Sequence, residues 1–220
     1  MSNKPPKKGD LNKSWMAPRR DRKRGIAPEY HLIVAEGKET EPNYFEGLKN
    51  QINSKYPGRI SMKIIGAGKN TKGLLKYAQS VASSSVNEFR HIWIVFDKDD
   101  FPTKDFDETC SECEKLSNEN ENTTYHALWS NQCIEYWFLL HYIYLETPLN
   151  RKDYFSKLSR YMKRKYEKNQ ADVYTLLNPN LHTAIENAKK IARRYADANP
   201  SECDPCTKVY EIFDMLKIYL

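Results

Sequence analysis

Two short apolar runs that each end in acidic residues constrain this chain more than any other feature. The first is Ile33-Val34-Ala35, followed by Glu36-Gly37, with Glu39 and Glu41 close behind. The second is Ile92-Trp93-Ile94-Val95-Phe96, followed by Asp97-Lys98-Asp99-Asp100. Short β-branched and aromatic runs read as buried parallel strands. In an open α/β sheet, ligands bind beyond the carboxyl ends of the strands. Both acidic clusters fall on that edge. A Glu and an Asp-x-Asp brought together there make an oxygen-rich set suited to a hard divalent cation such as Mg²⁺.

The rest of the pattern alternates in the same sense. Residues 30–35, 60–65, 91–96 and 124–129 read as strands, and residues 42–55, 71–83 and 106–116 as helices between them. Tyr44, Phe45, Leu48 and Ile52 keep helical spacing, and Pro57-Gly58 ends that helix. The expected fold is α/β: a four-stranded, mostly parallel sheet flanked by helices, with right-handed crossovers and a helical C-terminal extension. Ser130 or Asn131 is placed to cap a helix over about 132–144, which Pro148 ends. Residues 152–168 read as a basic helix with interleaved aromatics, residues 182–197 as another, and Thr207 as the cap of a last helix reaching 219. Gly66 to Thr71 has the wrong spacing for a phosphate-binding P-loop and reads as a turn.

Charge divides the chain. Residues 1–28 hold nine Lys or Arg and two acids, a net +7, so the remainder of this +6 chain carries −1. With Pro5, Pro6 and Pro18 this reads as a disordered basic arm, suited to phosphate backbones or simply to solubility. Residues 29–146 are expected to form the catalytic α/β domain and 147–220 a helical extension on it. There is no run of about 18 apolar residues and no apolar signal-peptide core, so a cytoplasmic location without membrane association is expected. Five cysteines fit a reducing compartment. Two CxxC pairs, Cys110/Cys113 and Cys203/Cys206, are too far apart for a compact zinc ribbon, and unpaired thiols are the expectation.

Chemistry concentrates on the acids. A glycine after Glu36 lets the backbone turn sharply, freeing the carboxylate to face a metal and a substrate. Asp97 and Asp99 repel one another unless a cation lies between them. Glu41 is either a further ligand or a favourable charge at a helix N-terminus. Glu135 stands in the first turn of the helix after the fourth strand, among apolar residues, where an unpaired charge is costly. Lys98 and the basic stretch with Lys163, Arg164 and Lys165 are the expected nucleic-acid contacts. His141 reads as a packing residue.

Glu-Gly after one apolar strand and Asp-x-Asp after a later one resemble the TOPRIM domain of topoisomerases, primases and related nucleases. The wider run Glu36-Gly-Lys-Glu-Thr-Glu41-Pro-Asn-Tyr-Phe45 is more specifically similar to the RloB-like family. So are Ser130-Asn131-x-Cys133-x-Glu135-x-Trp137-x-Leu139-Leu140-His141-Tyr142 and the terminal Asn199-Pro200 with Thr207-x-Val209. The resemblance covers residues 29–219. It implies a Mg²⁺-dependent nuclease of a restriction or phage-defence system, with Mn²⁺ as a substitute metal, cutting DNA or RNA. Glu36 maps to the general acid/base or metal ligand, Asp97 and Asp99 to the metal-holding pair, and Glu41 and Glu135 to ligands of a second ion. Asp100 does not extend the Asp-x-Asp alternation, which leaves the second ion open. Such nucleases partner ABC- or AAA-type ATPases, and this sequence has no GxxxxGK[ST] of its own. The alternatives are a nucleic-acid-binding or sensor subunit that is inactive without that ATPase, and a primase-like nucleotidyl transferase. Self-association is left open.

Overall fold

Strand β1 (Glu29–Ala35) is built from residues that are apolar on both faces, and Leu32 through Ala35 are fully buried. A strand wetted on neither side must sit inside a sheet with helices above and below. It pairs in parallel with β2 (Ile60–Gly66) on one side and with β3 (His91–Asp97) on the other. Beyond β3 runs β4 (Thr124–Asn131), also parallel. The order is β2-β1-β3-β4, with a last short strand at the edge, in a Rossmann-like α/β architecture. This is a computed structural model, and it describes residues 28–99 and 102–220. The basic arm lies outside the described residues except for Pro28, and Asp100 is outside them entirely.

Side-chain alternation divides the core in two. Ile33, Ala35, Trp93, Val95 and Leu128 meet α1 (Thr40–Lys55) and the C-terminal helices. Leu32, Val34, Ile92, Ile94, Phe96 and Trp129 meet α2 (Thr71–Ser83) and α3 (Thr103–Glu119). Asn70 caps α2, its side chain accepting from Gly73 N–H at 3.0 Å. The turn before it, expected from the sequence, holds Gly68 at φ 59°. Helix α4 (Ile134–Leu140) is buried at every position. Its Trp137 indole donates to Tyr44 Oη at 2.8 Å, joining α4 to α1 across the core.

The C-terminal half departs from its sequence reading in four places. Cys206–Thr207 form a fifth strand, β5, antiparallel to β4, where the sequence suggests only helix. Thr207 is therefore a strand residue bonded to Ser130 Oγ at 2.9 Å, and the last helix α8 begins at Tyr210 (Tyr210–Leu216). Ser130 and Asn131 end β4 instead of capping α4, whose N-cap is Cys133. The basic stretch is not one helix: α5 (Arg151–Met162) stops at Lys163, in the left-handed conformation at φ 54°. Two further helices, α6 (Val173–Leu177) and α7 (Leu181–Ala192), complete the cover. Among the described residues no helix is long and apolar enough to cross a membrane.

Candidate active site

The strand order reverses direction between β1 and β3, since β2 lies on one side of β1 and β3 on the other. Such a switch point opens a crevice at the carboxyl ends of the two strands. Glu36 leaves the end of β1 and Asp97 is the last residue of β3. Their backbones remain paired there, Glu36 N–H donating to Val95 O at 2.9 Å. The Asp97 N–H also faces Glu36 Oε2 at 3.4 Å. Past the strand, Lys98 and Asp99 N–H groups bond to Ser130 O and Gln132 O at 2.9 and 3.0 Å, fixing the loop against the end of β4.

The five acids taken from the sequence as site residues, Glu36, Glu41, Asp97, Asp99 and Glu135, line one cleft of about 410 Å³ together with Glu39. Glu41 arrives from the first turn of α1 and Glu135 from the first turn of α4. Gly37 suits this convergence, because a Cβ at that position would overlap the Glu41 carboxylate and force it to shift. The backbone N–H groups of Glu41 and Gly37 act on the Glu41 carboxylate in turn, favouring its charged form against burial.

Three of these acids are almost closed to water, with Glu41 5%, Asp97 7% and Glu135 1% exposed. Burial is the main reason the Glu36 carboxyl is pushed up to about 7, with Asp99 and Glu41 adding to it. Burial also raises Glu41, helped by Glu135, and holds Asp97 well above the carboxylate range, helped by Glu41 and Glu135. The Glu135 carboxylate accepts one bond, from Tyr166 Oη to Oε1 at 3.1 Å. Its Oε2 is buried with no hydrogen-bond partner. A buried carboxylate oxygen without a donor, among other carboxylates that resist ionisation, is the environment a hard cation relieves. The donor set is oxygen only, which fits Mg²⁺ or Mn²⁺. Glu36, Asp97, Asp99, Glu41 and Glu135 are the residues able to hold it.

The expected basic contacts are placed differently. Lys98 is not in the cleft wall, and its charge acts on Asp204. Lys163 ends α5, Arg164 pairs with Asp172 at 2.6 Å, and Lys165 pairs with Glu167 at 2.8 Å. The cations of the cleft are instead Lys38, Arg151 and Lys168, with Arg151 Nη1 3.0 Å from Asp99 Oδ2. Lys38 lies within the run from Glu36 to Phe45, whereas Arg151 and Lys168 stand in no motif. Arg151 is recognisable only once α5 is known to begin at the cleft.

Two other clusters compete for attention. The four CxxC cysteines are free and buried, and they line another cleft of about 400 Å³. At the opposite edge of the sheet, Glu29 Oε1 lies 3.0 Å from His31 Nε2 and 3.4 Å from His91 Nε2, close enough to share an ion. Trp93 Nε1–H, however, donates to His31 Nδ1 at 3.1 Å. An indole only donates, so His31 carries its proton on Nε2 and gives it to Glu29. That nitrogen has no lone pair for a metal, and the cluster reads as a satisfied hydrogen-bond network. Burial lowers His31 to about 4, in keeping with a neutral ring. His141 packs in the core against Trp137, buried with Nδ1 3.0 Å from Trp137 O and with Nε2 unpartnered.

No match is found among curated proteins. The family model described as RloB-like protein matches residues 31–216, from the middle of β1 to the end of α8, with all six cleft acids inside it. The chain belongs to the RloB-like protein family.

Proposed function

We propose that the chain is a Mg²⁺-dependent phosphodiesterase of the TOPRIM type that cleaves DNA or RNA, with Mn²⁺ able to substitute. The observation that carries this reading is the unpartnered Glu135 Oε2, buried in a cleft with five further carboxylates at the switch point of the sheet. Bound there, the cation would supply Lewis-acid stabilisation of charge on the phosphoryl group. The protein's own part is positional and acid–base. Asp97, Asp99, Glu41 and Glu135 would hold the cation from one strand end and two helix starts. Glu36, the acid whose pKa lies near neutrality, takes a proton from the attacking water and returns one to the leaving oxygen.

Family membership supports a place in a restriction or phage-defence system beside an ABC- or AAA-type ATPase. The second reading, a binding subunit that is silent without that ATPase, is favoured by the lack of a P-loop motif in this sequence. The test is cleavage of supercoiled plasmid, single-stranded DNA and total tRNA with Mg²⁺ or Mn²⁺, beside Asp97→Asn. Metal-dependent cleavage lost in the variant supports the phosphodiesterase. Cleavage retained by purified, folded Asp97→Asn protein overturns the assignment. No cleavage alone, with co-purification of a large ATPase, favours the second reading.

A further inference from the structure

The floor of the cleft is anionic and its rim is not. Six carboxylates by themselves would repel a phosphate diester, which carries charge of the same sign. Arg151 and Lys168 stand against that repulsion from two sides of the cleft. Arg151 is the first residue of α5. One guanidinium nitrogen meets Asp99, while its side chain remains 41% exposed, leaving other donors of the fork accessible. Lys168 acts on Glu41 from the α1 side of the cleft. Among the described residues its ammonium pairs with no carboxylate and lies 5.5 Å from the Phe155 ring centroid.

The segment that carries Lys168 is fixed at the site. Thr40 Oγ1 donates to Lys168 O at 2.8 Å, and Asn43 Nδ2 to Asn169 O at 3.4 Å. Two residues earlier, Tyr166 holds Glu135 through its hydroxyl. The loop after α5 is thus tied both to the start of α1 and to the acid on α4. An ammonium anchored in this way, without an ion-pair partner, is available to an incoming anion.

We propose that Arg151 and Lys168 are the phosphate-binding residues of the cleft, holding a nucleic-acid strand over the carboxylates from its two sides. The inference rests on the phosphodiesterase reading of the same cleft. The planar fork of Arg151 suits two non-bridging oxygens of one phosphate, and Lys168 supplies a point charge to that phosphate or its neighbour. Both residues come from the C-terminal region, which then contributes to substrate binding as well as covering the sheet.

The test uses the full chain and fluorescein-labelled eight-nucleotide single strands, one DNA and one RNA. Anisotropy is read in Ca²⁺ across a salt series, and Mn²⁺ binding by electron paramagnetic resonance. Arg151→Gln and Lys168→Gln are each expected to weaken binding of the better-bound strand about 10-fold or more. Each lowers the salt slope by about 0.7, the value of one lost phosphate contact on a single strand. Lys168→Arg restores binding; Arg151→Lys, which lacks the fork, does not. Mn²⁺ binding stays at the wild-type level or tightens as Asp99 loses its partner. Unchanged strand affinity and salt slope in both Gln variants, with Mn²⁺ bound normally, overturns the phosphate-binding pair and leaves the metal reading standing. Lost strand binding in the variants of a protein that holds no Mn²⁺ supports the pair while the metal reading fails. Wild-type protein that binds neither strand overturns the proposal.

Discussion

Glu135→Gln distinguishes a cation-holding carboxylate from a merely structural one. The change is isosteric. Oε1 still accepts from Tyr166, and an amide replaces the Oε2 that has no partner. The amide donates where the carboxylate repelled. At an effective dielectric of about 20, two like charges about 4 Å apart repel by about 4 kcal/mol, and the repulsion falls in inverse proportion to distance. Glu135 acts on both Asp97 and Glu41, adding to the burial that raises their pKa values. A gain of about 1–2 kcal/mol in chelator is therefore expected, a rise in Tm of about 2–8 °C for a domain of this size. Wild-type protein gains stability from a cation that binds only the folded state, about 2.7 kcal/mol at one hundred times its Kd. The variant loses most of that gain. Thermal melts should therefore cross, with Glu135→Gln above wild type in EDTA and below it in saturating Mn²⁺. A variant that melts lower in EDTA yet gains as much from Mn²⁺ would refute the reasoning and leave Glu135 as a partner of Tyr166 only.

Gly37→Ala places a methyl group against the Glu41 carboxylate. A loss of about 1–3 kcal/mol is expected, with a smaller Mn²⁺-induced shift in the same melts. Trp93→Phe leaves the fully buried His31 Nδ1 without its donor, costing about 1–3 kcal/mol in urea unfolding for that nitrogen alone. Its Mn²⁺-induced shift should match wild type, because the histidine network is separate from the carboxylate cleft. Glu36 gives a pH signature. A carboxyl held at about 7 when folded and 4.5 when unfolded binds more protons in the folded state. Stability in chelator is then fully present below about pH 4.5 and falls as pH rises through about 7. Glu36→Gln should flatten that part of the profile, and an unchanged slope between those pH values would count against the raised pKa.

The sheet and its acidic edge were legible because both are written in local pattern. Continuous apolar runs mark strands buried on two faces, and the acids sit directly at their ends. Glu135 was readable for a related reason, as a charge in an otherwise apolar helix start. What escaped the sequence depends on distant partners. Strand β5 is two residues long, too short to show alternation, and exists because Ser130 and Asn131 offer it an edge. The basic stretch reads as one helix because Tyr154, Leu158, Met162 and Tyr166 keep helical spacing beyond the real end. In the fold Lys163 turns left-handed, and Tyr166 N–H bonds back to Ser159 Oγ at 2.9 Å. That reversal carries Tyr166 onto Glu135 and Lys168 into the cleft. Charge density pointed to residues 163–165, whereas Arg164 and Lys165 are paired with nearby acids. Arg151 had no local signal, since its role comes from where α5 begins.

The most direct test of the carboxylate cleft as a divalent-cation site is anomalous diffraction from crystals grown with Mn²⁺. A peak bounded by Glu36, Asp97 and Glu135, absent in Asp97→Asn crystals, is the expected result. A peak at Glu29, His31 and His91 with none in the cleft would contradict it.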